Sequence, residues 1–257
     1  MFGYWHRVCS GIAEFLTTKS IELLKERSNV VAVYRKDVES ANKFEYDASD
    51  LGGKLTLLQA DITLPDDRQK IIDYTLRNYA SVYGLVNNAG VELQADEADC
   101  PGIETMVSLN SIAPVELIHL ISKHMDTNVG GSIVNILSVK KDVYIPSGEE
   151  LDMASVHYGA SKAYLESAMR GMTELRYRNI RINSVSPGPT IGGGNSRSSQ
   201  VHEERFKRRQ YGMNRRATIN DVANAVLFLL SPISSQVVGH TIDLSGGQSI
   251  APFYYPQ

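Results

Sequence analysis

The pattern that most restricts this chain is a series of short apolar segments with almost no polar alternation, separated by amphipathic stretches of helical period. Asn29 to Tyr34, with Val30-Val31-Ala32-Val33 at its centre, Tyr83 to Val86, Ser132 to Leu137 and Ile180 to Val185 read as strands buried on both faces, which a parallel sheet covered by helices provides. Further strands are expected over Lys54 to Gln59 and Val237 to Leu244. Between them, Asp66 to Tyr79 puts Ile71, Ile72 and Leu76 on one side of a helix, and Met106 to Met125 reads as a long apolar-faced helix. Tyr158 to Arg176 and Ile219 to Leu230 complete the helical set, and Ser20 to Lys25 is helix-like ahead of the second strand. Strand and helix in regular alternation predict an α/β fold, a doubly wound parallel sheet with helices on both faces. Such a sheet places its ligands beyond the carboxyl ends of its strands.

With 257 residues, 42% of them hydrophobic, and no linker-like stretch, the chain is expected to form a single domain over residues 1–257. A net charge of -3 implies no general attraction to nucleic acid. Cys9 and Cys100 are too few for a disulfide framework and have no metal-type partner nearby, so no metal is expected and a reducing cytoplasm fits. No apolar run of membrane-spanning length and no signal-peptide pattern is visible, so a cytoplasmic protein without membrane association is expected.

Several polar residues fall where a ligand should lie. Asp61 follows the third strand, Asn87-Asn88-Ala89-Gly90 the fourth, Ser138 the fifth and Pro187-Gly188-Pro189-Thr190 the sixth. Each has an ordinary alternative reading, as a cap, a turn or a strand-end hydroxyl. Asn110 stands on the apolar face of its helix and needs a polar partner there. Tyr158 and Lys162, four residues apart, emerge on one helical face and can address the same small volume. A cation about 4 Å from the phenol at an effective dielectric near 20 is worth about 4 kcal/mol. That field lowers a phenol by roughly three units, into the range of a general acid or base.

Taken together, Asn87-Asn88-Ala89-Gly90, Asn110, Ile133-Val134-Asn135-Ile136-Leu137-Ser138, Tyr158-x-x-x-Lys162, Arg181-Ile182-Asn183-Ser184-Val185-Ser186-Pro187-Gly188 and Asp243-Leu244-Ser245-Gly246-Gly247 make the chain resemble the short-chain dehydrogenase/reductase family over roughly residues 29 to 250. The resemblance implies a Rossmann-like three-layer α/β/α sandwich and hydride transfer between a nicotinamide cofactor and a small or medium carbonyl or alcohol. It implies Tyr158 as the acid-base, Lys162 as the group that lowers the tyrosine pKa and holds the nicotinamide ribose, and Ser138 as a donor to the substrate oxygen. Asn110 would anchor a water linking Lys162 to solvent. Asp61 and Ile62 would meet the adenine, Asn88, Ala89 and Gly90 would line the adenosine-ribose path, and Pro187, Gly188 and Thr190 would cover the nicotinamide. Homo-oligomers, dimers or tetramers, are also implied.

The second strand runs into Tyr34-Arg35-Lys36 with no carboxylate before Asp37, and a guanidinium suits a ribose 2′-phosphate, so NADP(H) is favoured over NAD(H). The family's N-terminal glycine motif is altered. Matching it to His6-Arg7-Val8-Cys9-Ser10-Gly11-Ile12-Ala13 keeps Gly11 and Ile12 at the cofactor but puts Arg7 where the first glycine belongs, after a bulky strand Phe2-Gly3-Tyr4-Trp5. Ser138 and Tyr158 are separated by 19 residues, more than is usual, and the extra segment Lys140 to Glu150 is either a surface loop or a substrate-shaping element. Residues 191–216, with Gly192-Gly193-Gly194 at the start, correspond to the family's substrate lid. The altered N-terminus leaves an alternative to the enzyme: a catalytically silent relative serving as a binding or assembly module.

Overall fold

Residues 6–10, 23–25, 27–92, 102–143, 152–191, 213 and 215–250 are described by the computed structural model. Seven parallel strands form one sheet: β1 (His6–Ser10), β2 (Asn29–Tyr34), β3 (Leu55–Gln59), β4 (Gly84–Asn87), β5 (Gly131–Ile136), β6 (Ile180–Pro187) and, last in sequence, β9 (Thr241–Leu244). Their spatial order is β3-β2-β1-β4-β5-β6-β9. The chain thus builds outward from β1 to one edge, returns, and builds from β4 to the other. A crevice opens where the direction reverses, between the carboxyl ends of β1 and β4, with Ser10 opposite Asn87. A short parallel pair, β7 (Thr190–Ile191) and β8 (Ala217–Thr218), stands apart from the main sheet.

The strands lack polar alternation because both of their faces are covered. Val31, Val33, Leu85, Ile133 and Ile182 enter one apolar cluster, and Val30, Ala32, Val86, Val134 and Val185 enter the other. The helices on the first face include α2 (Pro65–Asn78), α4 (Ala113–Ser122) and α5 (Met153–Gly171), whereas α1 (Val38–Ala48) and α6 (Ile219–Leu230) pack on the second. Buried side chains complete the end of α6: Ser132 donates to Leu229 O at 2.7 Å, Tyr83 to Leu230 O at 3.1 Å, and the Arg181 guanidinium to Leu229 O at 2.7 Å. They satisfy carbonyls that the last helical turn leaves without partners.

Four expectations are corrected. Strand β1 occupies His6–Ser10, so Arg7 is a strand residue, opposite Val30 and Gly84, and does not stand at the first turn of the motif. The residue after the strand is Gly11, which with Ile12 lies outside the described residues, as do Phe2 to Trp5. The helix expected over 106–125 is α3 (Gly102–Val107) running through a π-helical turn, Ser108–Ile112, into α4. That continuous stretch, Ile103–Ser122, is long and apolar enough to cross a membrane by composition, contrary to the expectation of no such run, yet Leu117, Ile118 and Ile121 are fully buried against the sheet. Helix α5 begins at Met153, where the Asp152 side chain caps Ser155 N, and ends at Gly171 before a 3-10 turn, Thr173–Arg178. The helix α1 had no counterpart in the apolar pattern. Its signal is the cap, Asp37 accepting from Ser40 N at 2.9 Å. Of residues 191–216, only Ile191, Met213, Arg215 and Arg216 are described, and Tyr144 to Glu150 of the extra segment are not.

Candidate active site

At the carboxyl ends of β4 and β5 the chain gathers Gly90, Asn110, Ser138, Tyr158 and Lys162. Asn110 is wholly buried, on the π-helical turn. Its side chain is fully engaged: Val91 N–H donates to Oδ1 at 2.9 Å, and Nδ2 donates to Val91 O at 2.8 Å and to Ser161 Oγ at 3.0 Å. One residue on, Ser111 Oγ donates to Ser161 O at 2.8 Å. Asn110 therefore clamps the segment after β4 to helix α5, next to Tyr158 and Lys162. The extra residue of a π turn breaks the regular helical bonding, and such turns recur at functional sites.

Lys162 is 3% exposed, and its ammonium donates to Ile136 O at 2.9 Å. Burial lowers its pKa to about 8. Gly90 has its backbone so close that a Cβ would come within 3.0 Å of Lys162 Nζ and 3.2 Å of Asn110 Oδ1. A side chain here would have to displace the lysine or asparagine tip by a few tenths of an ångström, so glycine gives the chain its easiest passage between these two polar groups.

Tyr158 is half-buried, with Lys162 Nζ 5.8 Å from its ring centroid. Withdrawal from water raises the phenol above its ordinary range, the Glu92 carboxylate raises it further, and a hydrogen bond with the Ser138 hydroxyl works the other way. The expected lowering by Lys162 is thus absent. The ammonium points to the Ile136 carbonyl, and the cost of moving a phenolate out of water outweighs its attraction to a cation at that distance. As it stands, this tyrosine keeps its proton at neutral pH, the form a general acid needs, while its raised pKa makes it a weaker acid than a free phenol.

Ser138 caps a 3-10 turn, Val139–Lys141, with Lys140 N–H donating to its Oγ at 3.3 Å. The turn packs directly on α5: a Cβ on Gly159 would lie 2.3 Å from Lys140 O. Lys140 is ion-paired to Glu92, and Lys141, its side chain 6% exposed, reaches Glu166 at 3.1 Å. The first residues of the extra segment are therefore part of the site's wall and not a loose surface loop. Glu92, Lys140, Gly159 and Ser161 were not singled out from sequence; the available signal was their position two residues or fewer from Gly90, Ser138, Tyr158 and Lys162.

On the other side of the crevice, Arg35 ends one residue past β2 and reaches Asp61 at 3.7 Å. Burial works to raise the Asp61 carboxyl, but hydrogen bonds from Thr63 and the charges of Arg35 and Lys36 outweigh it and hold the group below its usual range. Asp61 Oδ1 accepts from Thr63 N and Oγ1 at 3.0 and 2.6 Å, so it also organises its own turn. Ile62 is buried in the core and its carbonyl accepts from Arg68 at 2.7 Å. Asn88 and Ala89 are partly exposed at the head of the crevice. Pro187, Gly188 and Thr190 follow β6, with Thr190 Oγ1 donating to Gly188 O at 2.9 Å and Gly188 pressed against Ser245, where a Cβ would come within 2.9 Å of Cα. Among the described residues no cluster of three potential metal ligands occurs.

A dinucleotide fits these residues. The crevice lies at the topological switch, Gly90 leaves backbone room, and among the described residues the buried Lys162 ammonium has one hydrogen-bond acceptor for its three N–H donors.

Residues 10–249 match a family model described as enoyl-(acyl carrier protein) reductase. The chain belongs to the short-chain dehydrogenase/reductase family. It is therefore an NAD(P)-dependent oxidoreductase acting on a CH-OH or carbonyl substrate. Glucose 1-dehydrogenase 2 of Bacillus subtilis is 28% identical over 242 residues, covering 89% of this chain and 88% of that protein. The 7alpha-hydroxysteroid dehydrogenase of Escherichia coli is 28% identical over 222 residues, 84% of this chain and 83% of that one. The fold is that of a solved NAD+-bound xylitol dehydrogenase, with a TM-score of 0.78 and 23% identity over 95% of this chain and 98% of the other.

Proposed function

We propose that this protein reduces a small or medium carbonyl compound, or oxidises the corresponding alcohol, with NADP(H). The observation that carries the reading is that Ser138 and Lys162 both lie beside Tyr158, with Asn110 hydrogen-bonded to Ser161 on the same helix. The nicotinamide supplies or accepts the hydride when bound; the chain supplies position and proton. Ser138 and Tyr158 hold the substrate oxygen, and Tyr158 passes its proton to the forming alkoxide. Lys162, with donors to spare, holds the ribose hydroxyls, while Asn110 fixes the backbone beside it and anchors a water between Lys162 and solvent. At the far end Arg35 takes the 2′-phosphate, Asp61 and Ile62 border the adenine, and Gly11 and Ile12 receive the pyrophosphate. Asn88, Ala89 and Gly90 line the path between, and Pro187, Gly188 and Thr190 cover the nicotinamide. Residues 191–216 serve as the lid of a single-domain, cytoplasmic homo-oligomer, a dimer or tetramer.

The cofactor assignment is tested by titrating the purified protein with NADPH and NADH by fluorescence. Tighter NADPH binding, with the difference lost in Arg35→Ala, supports it; equal discrimination in both proteins removes it. Absence of binding to either nucleotide would leave the silent binding module. The proton role is tested by Tyr158→Phe, expected to abolish turnover while leaving NADPH affinity largely intact; retained turnover refutes it.

A further inference from the structure

Two charged side chains outside the proposed catalytic group lie against Tyr158. Lys140 Nζ is 5.9 Å from the Tyr158 ring centroid, as near as the 5.8 Å of Lys162. Its partner is Glu92, and the two side chains keep 21% and 22% exposure, neither fully solvated nor sealed in the core. An ion pair of this kind is ordinarily a surface ornament worth little. Its anchoring argues otherwise. Glu92 directly follows Val91, whose N–H and C=O are both held by Asn110. Lys140 donates its backbone N–H to Ser138 and has its carbonyl packed on helix α5 at Gly159. The backbone contacts that set Asn110 and Ser138 in place therefore also set the bases of Glu92 and Lys140 around the phenol.

We propose that the Glu92–Lys140 ion pair is a positioning couple for proton transfer at Tyr158, in which Glu92 strengthens the phenol's hold on its proton and Lys140 moderates that hold. An anion beside a phenol disfavours the phenolate, and a cation favours it. The influence of Glu92 on the phenol has the sign this requires. The charged groups that act on the phenol, among the described residues, are Lys162 from its own helix, Glu92 from the segment after β4 and Lys140 from the turn after β5, while His157 adjoins Tyr158 in sequence. Lys141, next in the turn, is turned to Glu166 and Asp142, and Pro187 to Thr190 add no charge. The proposal rests on Tyr158 as the proton-transfer group of the reaction.

The test reads the phenol directly. Full-length protein labelled with 13Cζ-tyrosine is titrated by NMR upward from about pH 6 to about pH 12.5, the Tyr158 resonance being assigned by its loss in Tyr158→Phe and a resonance still unshifted at the top counting as the later ionisation. Tyr158 is expected to ionise earlier in Glu92→Gln than in Lys140→Gln by one unit or more, the size of a unit charge at this distance and an effective dielectric near 20. Should Glu92→Gln fail to fold, the double variant Glu92→Gln/Lys140→Gln takes its place and must likewise ionise earlier than Lys140→Gln. Removal of Glu92 that brings ionisation no earlier than in Lys140→Gln overturns the proposal. Because this readout needs no turnover, it is separate from the kinetic test of Tyr158→Phe, whose failure would remove the catalytic reading and leave the titration order as measured.

Discussion

Replacing Asn110 by alanine removes three hydrogen bonds from a wholly buried side chain: the two that hold Val91 by its N–H and C=O, and the one to Ser161. Each is worth about 1 kcal/mol net, and a buried backbone group left without a partner costs about 1–3 kcal/mol. Val91 is only partly buried, so water recovers some of this, and the expected loss is about 2–4 kcal/mol. For a protein of this size that is a fall of roughly 5–15 °C in melting temperature. Asn110→Asp separates clamp from cavity. It keeps an oxygen for Val91 N–H but turns a second oxygen toward Val91 O and Ser161, so it should lose most of the same stability with almost no change of volume. Urea unfolding gives the free energies, and NADPH titration shows whether the Gly90–Val91 segment still borders the site. If both variants unfold within about 0.5 kcal/mol of wild type, the size of an ordinary surface change, the clamp is not there.

Lys162 titrates at about 8 in the folded chain against 10.5 in the unfolded one. Between these values the unfolded chain binds more protons, so stability rises with pH through that window, by up to about 3 kcal/mol. Lys162→Met should abolish that rise, measured by urea unfolding near pH 7 and near pH 10; an unchanged slope refutes the assignment. Gly159→Ala puts a Cβ 2.3 Å from Lys140 O, forcing the Ser138 turn off helix α5 at a cost of about 1–3 kcal/mol, with turnover falling further than cofactor affinity. Wild-type stability and turnover in that variant would show that the contact relaxes freely. Thr218 and Asp221 form a capping box at the start of α6, and Thr218→Ala should cost about 1 kcal/mol in the same unfolding assay, while no loss would mean the cap is satisfied by other groups.

The sheet was legible from sequence because burial on both faces leaves a mark that no other arrangement of short strands does: β2 was read at its observed bounds, and β5 and β6 within two residues. Helix α1 was missed because its apolar contacts are few, with only Ala41, Phe44 and Ala48 buried, and its start is fixed by a side-chain cap. The π turn at Ser108–Ile112 has no periodic signature of its own; the polar Asn110 on an apolar face was its only trace, and that was read correctly as a residue needing a partner. The placement of β1 shows a different limit. Matching Arg7 to a turn glycine relied on motif letters, whereas the strand is settled by pairing with β2 and β4, information that lies tens of residues away.

The electrostatics of the site were the least legible part, and the reason is physical. From sequence, Tyr158 and Lys162 are neighbours on one helical face, so a lowered phenol follows from Coulomb attraction alone. Two quantities that decide the sign are invisible there: how deeply the pair is withdrawn from water, and which other charges arrive from distant segments. Burial acts against both charged forms, lowering Lys162 and raising Tyr158, and Glu92, brought in by the segment after β4, adds to the second effect. The same Tyr-Lys pair is therefore a stronger acid where the cation dominates and a weaker acid, with a more basic phenolate, where burial and a second carboxylate dominate. A short motif identifies the groups that exchange the proton, while the direction in which they are poised is set by the residues that the fold carries to them.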